Sequence, residues 1–305
     1  MQRGPRDYAL LSLKGGMMGV ADTVPGVSGG TVALVTGIYE ELINSLARIG
    51  PARIRDLRED GIRGFWQSIN GSFLLAVFGG LIVFLLGVAE LMNWLLTHHR
   101  MLLWGFFFGL ILASVPLVAW RMRHWRPGHI FWAGSGLIVG LGITLLGPAS
   151  TPDALWMIFL AGMIAICAMV LPGISGSFLL LILAKYETMV QAVVGRDLLV
   201  IVVFMAGAVV GILSISRALS ALFKRHHDAT IALLTGFMAG SLNALWPWQY
   251  GVSTGGFSAH YWPWQFETVS GQHAQVLAVL ACFVFGLVLI ALFAGMERTH
   301  HRQVT

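Results

Sequence analysis

Two short stretches decide how this chain is organised: Val-Pro-Gly-Val-Ser-Gly-Gly at residues 24–30 and Leu-Pro-Gly-Ile-Ser-Gly-Ser at residues 171–177. They lie 147 positions apart, and the match extends at the same spacing to Tyr-Glu pairs at residues 39–40 and 186–187. Both stretches interrupt long apolar segments. A broken helix at membrane depth persists only where it is buried in protein or lines a polar cavity, because lipid offers its backbone no hydrogen-bond partner. Two such breaks at corresponding positions of two chain halves predict the binding site of a transporter-like fold.

The composition predicts an integral membrane protein. Of the 305 residues, 57% are hydrophobic and only 11% are charged, and the mean hydropathy is +0.78. Soluble domains carry about 25% charged residues. The formal net charge of +5 is interpreted as a record of loop topology rather than of nucleic-acid binding. Cys167 and Cys282 fall in apolar segments without a Cys-X-X-Cys motif, which favours buried thiols over a disulfide or a metal site.

The apolar segments predict two re-entrant helical hairpins and six membrane-spanning helices. Each arm of a hairpin has about 16 to 20 residues, slightly fewer than a full span requires. The first hairpin covers residues 8–49 and the second covers residues 154–194, with the Pro-Gly motifs at their tips. The predicted spans cover residues 69–90, 101–120, 129–147, 198–222, 229–248 and 275–296.

The distribution of basic residues supports this topology. If both hairpins return to the side from which they start, fifteen of the 19 Lys and Arg residues fall on one side of the membrane. Treating one hairpin as a full crossing would place the cluster at Arg121 and the cluster at Lys224 and Arg225 on opposite sides. Because basic loops face the cytoplasm, both chain termini are predicted to be cytoplasmic.

A second set of matching residues extends the repeat, at a spacing of 131 positions. It relates Gly105-Phe106, Gly109, Ala113 and Pro116 to Gly236-Phe237, Gly240, Ala244 and Pro247. Each half, residues 1–147 and 148–305, therefore contains one hairpin and three spans, and an odd number of spans inverts the second half. The predicted fold is an all-α polytopic membrane protein with an inverted-topology repeat. The glycine pairs of this second set lie on continuous helices, where helix packing is the favoured interpretation.

The two tips carry the chemistry of an anion site. Pro25 and Pro172 end one half-helix and are predicted hinges, while Ser28 and Ser175 are predicted to cap the next half-helix. A helix N-terminus presents unpaired N–H groups and about +0.5 charge, which suits a phosphate. The alternative is that the motifs only kink helices and pack them closely. The predicted phosphate-binding residues are Gly26, Ser28, Gly29, Gly30, Thr31, Gly173, Ser175, Gly176 and Ser177.

Three acidic residues are candidates for binding a coupling ion or a proton. Asp22 lies three residues before the first tip proline, and Met169 occupies the equivalent position in the second half, so any such role is asymmetric. Glu40 and Glu187 are equivalent in the repeat, and for them an interfacial position at a hairpin end is the alternative. Neither a metal site nor a cofactor is predicted, since the paired histidines have no carboxylate partner nearby in sequence.

With these motifs in place, nearly the whole chain resembles the bacterial polyprenyl-phosphate transporter family. The resemblance rests on residues 21–31 and 171–177. It implies a protein of the bacterial cytoplasmic (inner) membrane that returns undecaprenyl phosphate from the outer to the cytoplasmic leaflet for reuse in cell-wall synthesis. Its partners would be this lipid phosphate, the membrane lipids and a proton or a sodium ion, with no nucleic acid.

The rival interpretation is an enzyme. Membrane undecaprenyl-pyrophosphate phosphatases also resemble this plan, with a Pro-Gly-x-Ser-Arg-Ser tip. Here Gly29 and Gly176 stand where that family has arginine. Phosphoryl transfer needs cationic stabilisation of the developing charge, whereas binding a phosphate needs only donors. The sequence therefore favours a transporter over a phosphatase. A scaffold protein would leave both broken hairpins unexplained.

Overall fold

The computed structural model describes residues 3–24, 26–50, 61–124, 126–147, 149, 151–250 and 259–304, with side chains up to residue 292. The described chain is mainly helical, and it divides into two compact units. Unit 1 comprises Met1–Ala89 and Ala149–His227, and unit 2 comprises Glu90–Pro148 and Asp228–Thr305. Each unit thus takes one part from each predicted repeat half. The boundaries of the repeat itself remain a prediction.

Unit 1 contains both broken segments. Its helices are α1 (Pro5–Asp22), α2 (Gly29–Val35), α3 (Tyr39–Arg48), α4 (Gly61–Ser68), the first part of α5 (Gly71–His98), α8 (Leu155–Val170), α9 (Gly176–Ile182), α10 (Tyr186–Val194) and α11 (Leu198–Arg225). The predicted hairpins correspond to α1–α3 and to α8–α10. Between α9 and α10 the helix axis bends by 109°.

Close glycine contacts hold the long helices of unit 1 together. A Cβ atom on Gly15 of α1 would lie 2.0 Å from the carbonyl oxygen of Val77 on α5, and one on Gly207 of α11 would lie 2.0 Å from that of Phe159 on α8. Only glycine permits backbones to approach so closely. The abundance of glycine in this apolar chain therefore has a packing cause.

Unit 2 consists of the end of α5 and a second group of elements. They are α6 (Arg100–Ala119), α7 (Pro127–Thr144), α12 (His227–Ser241, with its first residue in unit 1), a 3-10 turn (Leu242–Leu245), strands β1 (Gln249–Tyr250) and β2 (Ala259–His260), α13 (Pro263–Ser270) and α14 (Val276–Val304). The two strands pair antiparallel, with Gln249 opposite His260.

The glycines of the second repeat set are helix-packing sites, which confirms their interpretation. A Cβ atom on Gly109 of α6 would lie 2.1 Å from the carbonyl oxygen of Phe283 on α14. One on Gly236 of α12 would lie 1.8 Å from that of Ala133 on α7.

Within the described residues, four helices are long and apolar enough to cross a membrane. They are α5, α6, α11 and α12 with its 3-10 extension, and the α9–α10 pair becomes a fifth if it is counted as one bent span. These four correspond to four of the six predicted spans. The predicted span at 129–147 corresponds to α7, which is not among these four. The predicted span at 275–296 corresponds to α14, and the part of it with described side chains, Val276–Leu292, is shorter than the four. The chain is a multi-pass membrane protein.

Candidate functional site

The two hairpin tips are in direct contact inside unit 1. The backbone N–H of Gly26 donates to Ser175 Oγ at 3.2 Å, and the N–H of Gly173 donates to Thr31 Oγ1 at 2.8 Å. The two glycines occupy equivalent positions in the repeat, so each tip offers the same main-chain donor to a hydroxyl of the other tip. The first bond joins residues 149 positions apart in sequence, and the second joins residues 142 positions apart.

The backbone conformation of the two glycines explains why the tips can turn. Gly26 has φ of 90° and Gly173 has φ of 99°. These values lie in the left-handed region, where a Cβ atom is strained and glycine is favoured. The glycine after each tip proline is therefore required by the turn. Pro172 is buried beside Gly173, whereas the predicted hinge Pro25 lies outside the described residues.

Both tip serines cap the helices that begin after them, as the sequence predicts. Ser28 Oγ accepts from the N–H of Gly30 at 3.0 Å, and Ser175 Oγ accepts from the N–H of Phe178 at 3.2 Å. Each hydroxyl also makes a second contact. Ser28 Oγ lies 2.7 Å from the carbonyl oxygen of Met169, to which it donates, and Ser175 Oγ lies 3.0 Å from Ser177 Oγ. The serines therefore fix helix starts and tie the hairpins together at once.

The first residues of α2 press against the end of α8. A Cβ atom on Gly30 would lie 2.5 Å from the carbonyl oxygen of Val170. The same carbonyl accepts a hydrogen bond from the hydroxyl of Tyr39 at 3.1 Å, and the Tyr39 side chain is 1% exposed. The equivalent Tyr186 is 41% exposed. Tyr39 is thus a partner of the tips that sequence reasoning missed, although the repeated Tyr-Glu pair had singled it out.

Asp22 lies at the N-terminal end of α2, where the sequence predicts a phosphate. Its Oδ1 atom accepts from the N–H of Gly29 at 2.7 Å, and a Cβ atom on Gly29 would lie 2.5 Å from Asp22 Oδ2. A carboxylate of the chain itself therefore takes one of the donors that the sequence assigns to a phosphate. Of the three predicted coupling residues, only Asp22 hydrogen-bonds to a tip residue within the described chain.

Glu40 and Glu187 lie on short helices beyond the tip helices. Glu40 Oε1 is 3.0 Å from His227 Nε2, and its side chain is 48% exposed. Glu187 lies in the first turn of α10 and is exposed.

A largely apolar cavity of about 70 Å³ lies beside the tips in unit 1. Asp22, Gly30 and Tyr39 line it on one part of its wall. The other lining residues are apolar, namely Met18, Leu42, Ile43, Leu46, Phe78, Leu81, Ile166, Met169, Val170 and Ile212. One carboxyl group thus faces both the tip helix and an apolar space.

The nine predicted phosphate-binding residues all belong to the two contacting tips. Eight of them are buried and Ser177 is partly exposed. Most of the hydroxyl and amide donors described above are paired with acceptors of the protein, so the tips are closed upon each other. An anion that binds to the paired donors must replace these internal acceptors. Among the described residues, no group of three His, Cys, Asp or Glu side chains is arranged to hold a metal ion.

Known proteins share this sequence over most of its length. The sequence pattern of a family described as undecaprenyl phosphate translocase-like matches residues 18–259, which include both tips. A polyprenyl-phosphate transporter of Vibrio cholerae is 40% identical over 301 residues, covering 96% of this chain and 97% of that protein. A polyprenyl-phosphate transporter of Staphylococcus aureus is 34% identical over 256 residues, covering 77% and 85%. No solved structure matches the chain. The family predicted from the tip motifs is confirmed, and the chain belongs to the undecaprenyl phosphate translocase-like family.

Proposed function

We propose that this protein transports undecaprenyl phosphate from the outer to the cytoplasmic leaflet of the bacterial inner membrane, with both termini cytoplasmic. The names of the relatives supply the substrate class. The observation that carries the proposal is the direct contact of the two tips, because it joins donors from both chain halves in one buried place. A site shared by two halves is what alternating access requires.

The phosphate binds by exchange of hydrogen-bond partners at the tips. When the tips separate, the N–H groups of Gly26 and Gly173 lose their hydroxyl acceptors and become available to phosphate oxygens. The freed hydroxyls of Thr31 and Ser175 then donate to the same group. Hydrogen bonds to an ionised acceptor are about twice as strong as neutral ones. Hydrogen bonds to the phosphate therefore offset the free energy of the hydrogen bonds that are lost when the tips separate.

Asp22 couples this exchange to a proton or a sodium ion. Its carboxylate and the phosphate are both anions that compete for the N–H of Gly29, and two like charges at short range repel each other. Protonation of Asp22, or binding of sodium to it, removes the repulsion and frees the donor. The coupling role belongs to Asp22 rather than to Glu40 or Glu187, because Asp22 hydrogen-bonds to the tip and the other two lie on the next helices along the chain.

The coupling ion has an energetic purpose. Moving one negative charge into the cell against an inside-negative potential costs about 2.3 kcal/mol per 100 mV. An accompanying cation cancels this cost for one charge of the headgroup. The isoprenoid chain stays in an apolar environment, and the cavity lined by Met18, Phe78 and Ile212 offers one next to the tips.

The experiment uses the purified protein in vesicles that contain a polyprenyl phosphate with a labelled headgroup. We expect the label to exchange between leaflets without release of inorganic phosphate. Release of phosphate at the rate of exchange would instead support the phosphatase. Absence of both activities in a folded protein would refute the proposed function.

A further inference from the structure

Helices α3 and α11 pack antiparallel in unit 1, at the end of α11 that carries its basic residues. Three contacts fix their pairing along the interface: Tyr39 with Phe223, Asn44 with Ser220, and the carbonyl of Ile49, directly after α3, with Arg217. Glu40 of α3 also contacts His227, the first residue of α12. The guanidinium of Arg217 donates to that carbonyl at 2.8 Å. It fits there because Gly50 has no side chain, since a Cβ atom would lie 2.4 Å from Arg217 Nη2. The groove between these helices is therefore a fixed feature.

A cleft of about 370 Å³ opens along this interface. Its lining residues are Ala47, Arg217, Ser220, Ala221, Lys224 and Arg225. Arg217 and Lys224 are two helical turns apart, roughly 10.5 Å along α11, with the small residues Ser220 and Ala221 between them. Small residues flanked by long cationic side chains leave a pocket that is positive at both ends.

The charges of this cleft are not neutralised by the described residues. The two carboxylates of α3 are engaged elsewhere: Glu40 faces His227, and Glu41 forms an ion pair with Arg3 at 2.6 Å. Within the described part of the chain, no ion pair joins Arg217, Lys224 or Arg225 to a carboxylate. Three cations that share one cleft repel one another, so the cleft favours an anion.

We propose that this cleft binds the phosphate headgroup of a lipid. Arginine presents a planar fork of N–H donors that matches phosphate oxygens, and lysine adds a compact positive charge. Basic pockets between membrane helices are suited to anionic headgroups. Leu222 on the same part of α11 is 41% exposed and offers an apolar surface for the lipid chain. The cleft is separate from the tips, and its cations lie on the side that the sequence predicts to be cytoplasmic.

The test measures binding of geranylgeranyl phosphate, a polyprenyl monophosphate, to the intact protein in a neutral detergent. The cleft variant carries Arg217→Gln, Lys224→Gln and Arg225→Gln. The matched control removes three exposed charges elsewhere, with Arg63→Gln, Arg123→Gln and Arg126→Gln. We expect the cleft variant to lose affinity at least about tenfold and the control less than about twofold.

Two results would overturn the proposal. One is wild-type affinity in a folded cleft variant, and the other is an equal loss in both triple variants, which would indicate only the overall surface charge. If the triple variant does not fold, Lys224→Gln alone is expected to lose about threefold, and wild-type affinity there would count against the cleft equally.

The source of the headgroup is distinguished by a second probe. The titration is repeated with phosphatidylglycerol. If the cleft is a site for the transported lipid, the cleft variant loses affinity only for geranylgeranyl phosphate. If the cleft is a general site for anionic lipids, the variant loses affinity for both lipids. The Ser175→Ala background, which removes the acceptor of Gly26, separates the tips from the cleft. If the cleft binds the headgroup independently of the tips, the three cleft substitutions also lower the affinity in the Ser175→Ala background. This result does not depend on whether the protein transports the lipid.

Discussion

A methyl group on Gly30 tests the tip contact most directly. In the Gly30→Ala variant the new Cβ atom lies 2.5 Å from the carbonyl oxygen of Val170 and 2.9 Å from that of Met169. Both neighbours are backbone atoms, which cannot rotate away. To reach 3.4 Å, where ordinary van der Waals contact begins, the end of α8 must retreat by about 0.9 Å. Overpacking of this kind costs about 1–3 kcal/mol.

The displacement also reaches the contacts that join the tips. Val170 accepts from Tyr39, and Met169 accepts from Ser28, so both hydrogen bonds lengthen when α8 moves. A misplacement of about 1 Å is enough to lower activity severely where geometry is fixed by packing. We therefore expect Gly30→Ala to lower the melting temperature and to reduce leaflet exchange of polyprenyl phosphate by at least about tenfold.

The assay compares thermal unfolding in detergent and exchange in vesicles for two alanine variants. The matched control is Gly79→Ala on α5, where no atom lies within 4 Å of the added Cβ atom. There the substitution only reduces backbone freedom, and stability should stay equal or rise by about 0.5–1 kcal/mol. If Gly30→Ala retains both the melting temperature and the exchange rate of the control, the close approach of α2 to Val170 is refuted.

Three further variants address the charge, the caps and a buried cation. Asp22→Asn is neutral at every pH, so its transport rate should no longer increase as the pH falls; an unchanged pH profile would exclude Asp22 as the coupling group. Ser28→Ala with Ser175→Ala removes two caps, each worth about 0.5–2 kcal/mol, and should weaken binding of polyprenyl phosphate about tenfold or more. Ser135→Ala, at a partly buried serine of α7, should not. Wild-type affinity in the double variant would remove the tips from the site. Lys185 is 1% exposed and bonds to Asp153 at 2.5 Å and to the carbonyl of Thr151. Asp153→Asn should therefore lower stability by about 1–3 kcal/mol, and an unchanged melting temperature would contradict the importance of this pair.

The tips could be predicted from sequence because their chemistry is local. Proline stops a helix, the next glycine accepts a positive φ, and a serine caps the helix that begins after it. Gly26, Gly173, Ser28 and Ser175 all behave in this way. The meeting of both motifs could be expected from the repeat, which gives two equivalent breaks in one membrane protein.

The acceptors of the tip hydrogen bonds could not be predicted. Three of them are the backbone carbonyls of Met169, Val170 and Leu171. Every residue has a backbone carbonyl, so the residue type does not indicate which carbonyl accepts a hydrogen bond. The basic cleft was missed for a different reason. Arg217 and Lys224 were counted only as markers of topology, although a spacing of seven residues places two side chains on one face of a helix.

The two tips share the backbone conformation of their first glycine and differ in charge, and this difference has a consequence for transport. At the first tip Asp22 accepts from Gly29, while the equivalent Met169 contributes only its main-chain carbonyl to Ser28. If phosphate displaces Asp22 as proposed, the exchange of charge is confined to the first hairpin, and the second supplies neutral donors and acceptors. One carboxyl group at the tips then allows one proton or sodium ion per cycle at this site. A headgroup with a single charge would cross the membrane without net charge movement, whereas a dianion would still work against the potential. The protonation state of the phosphate, together with that of Asp22, therefore determines how much net charge crosses the membrane in each transport cycle.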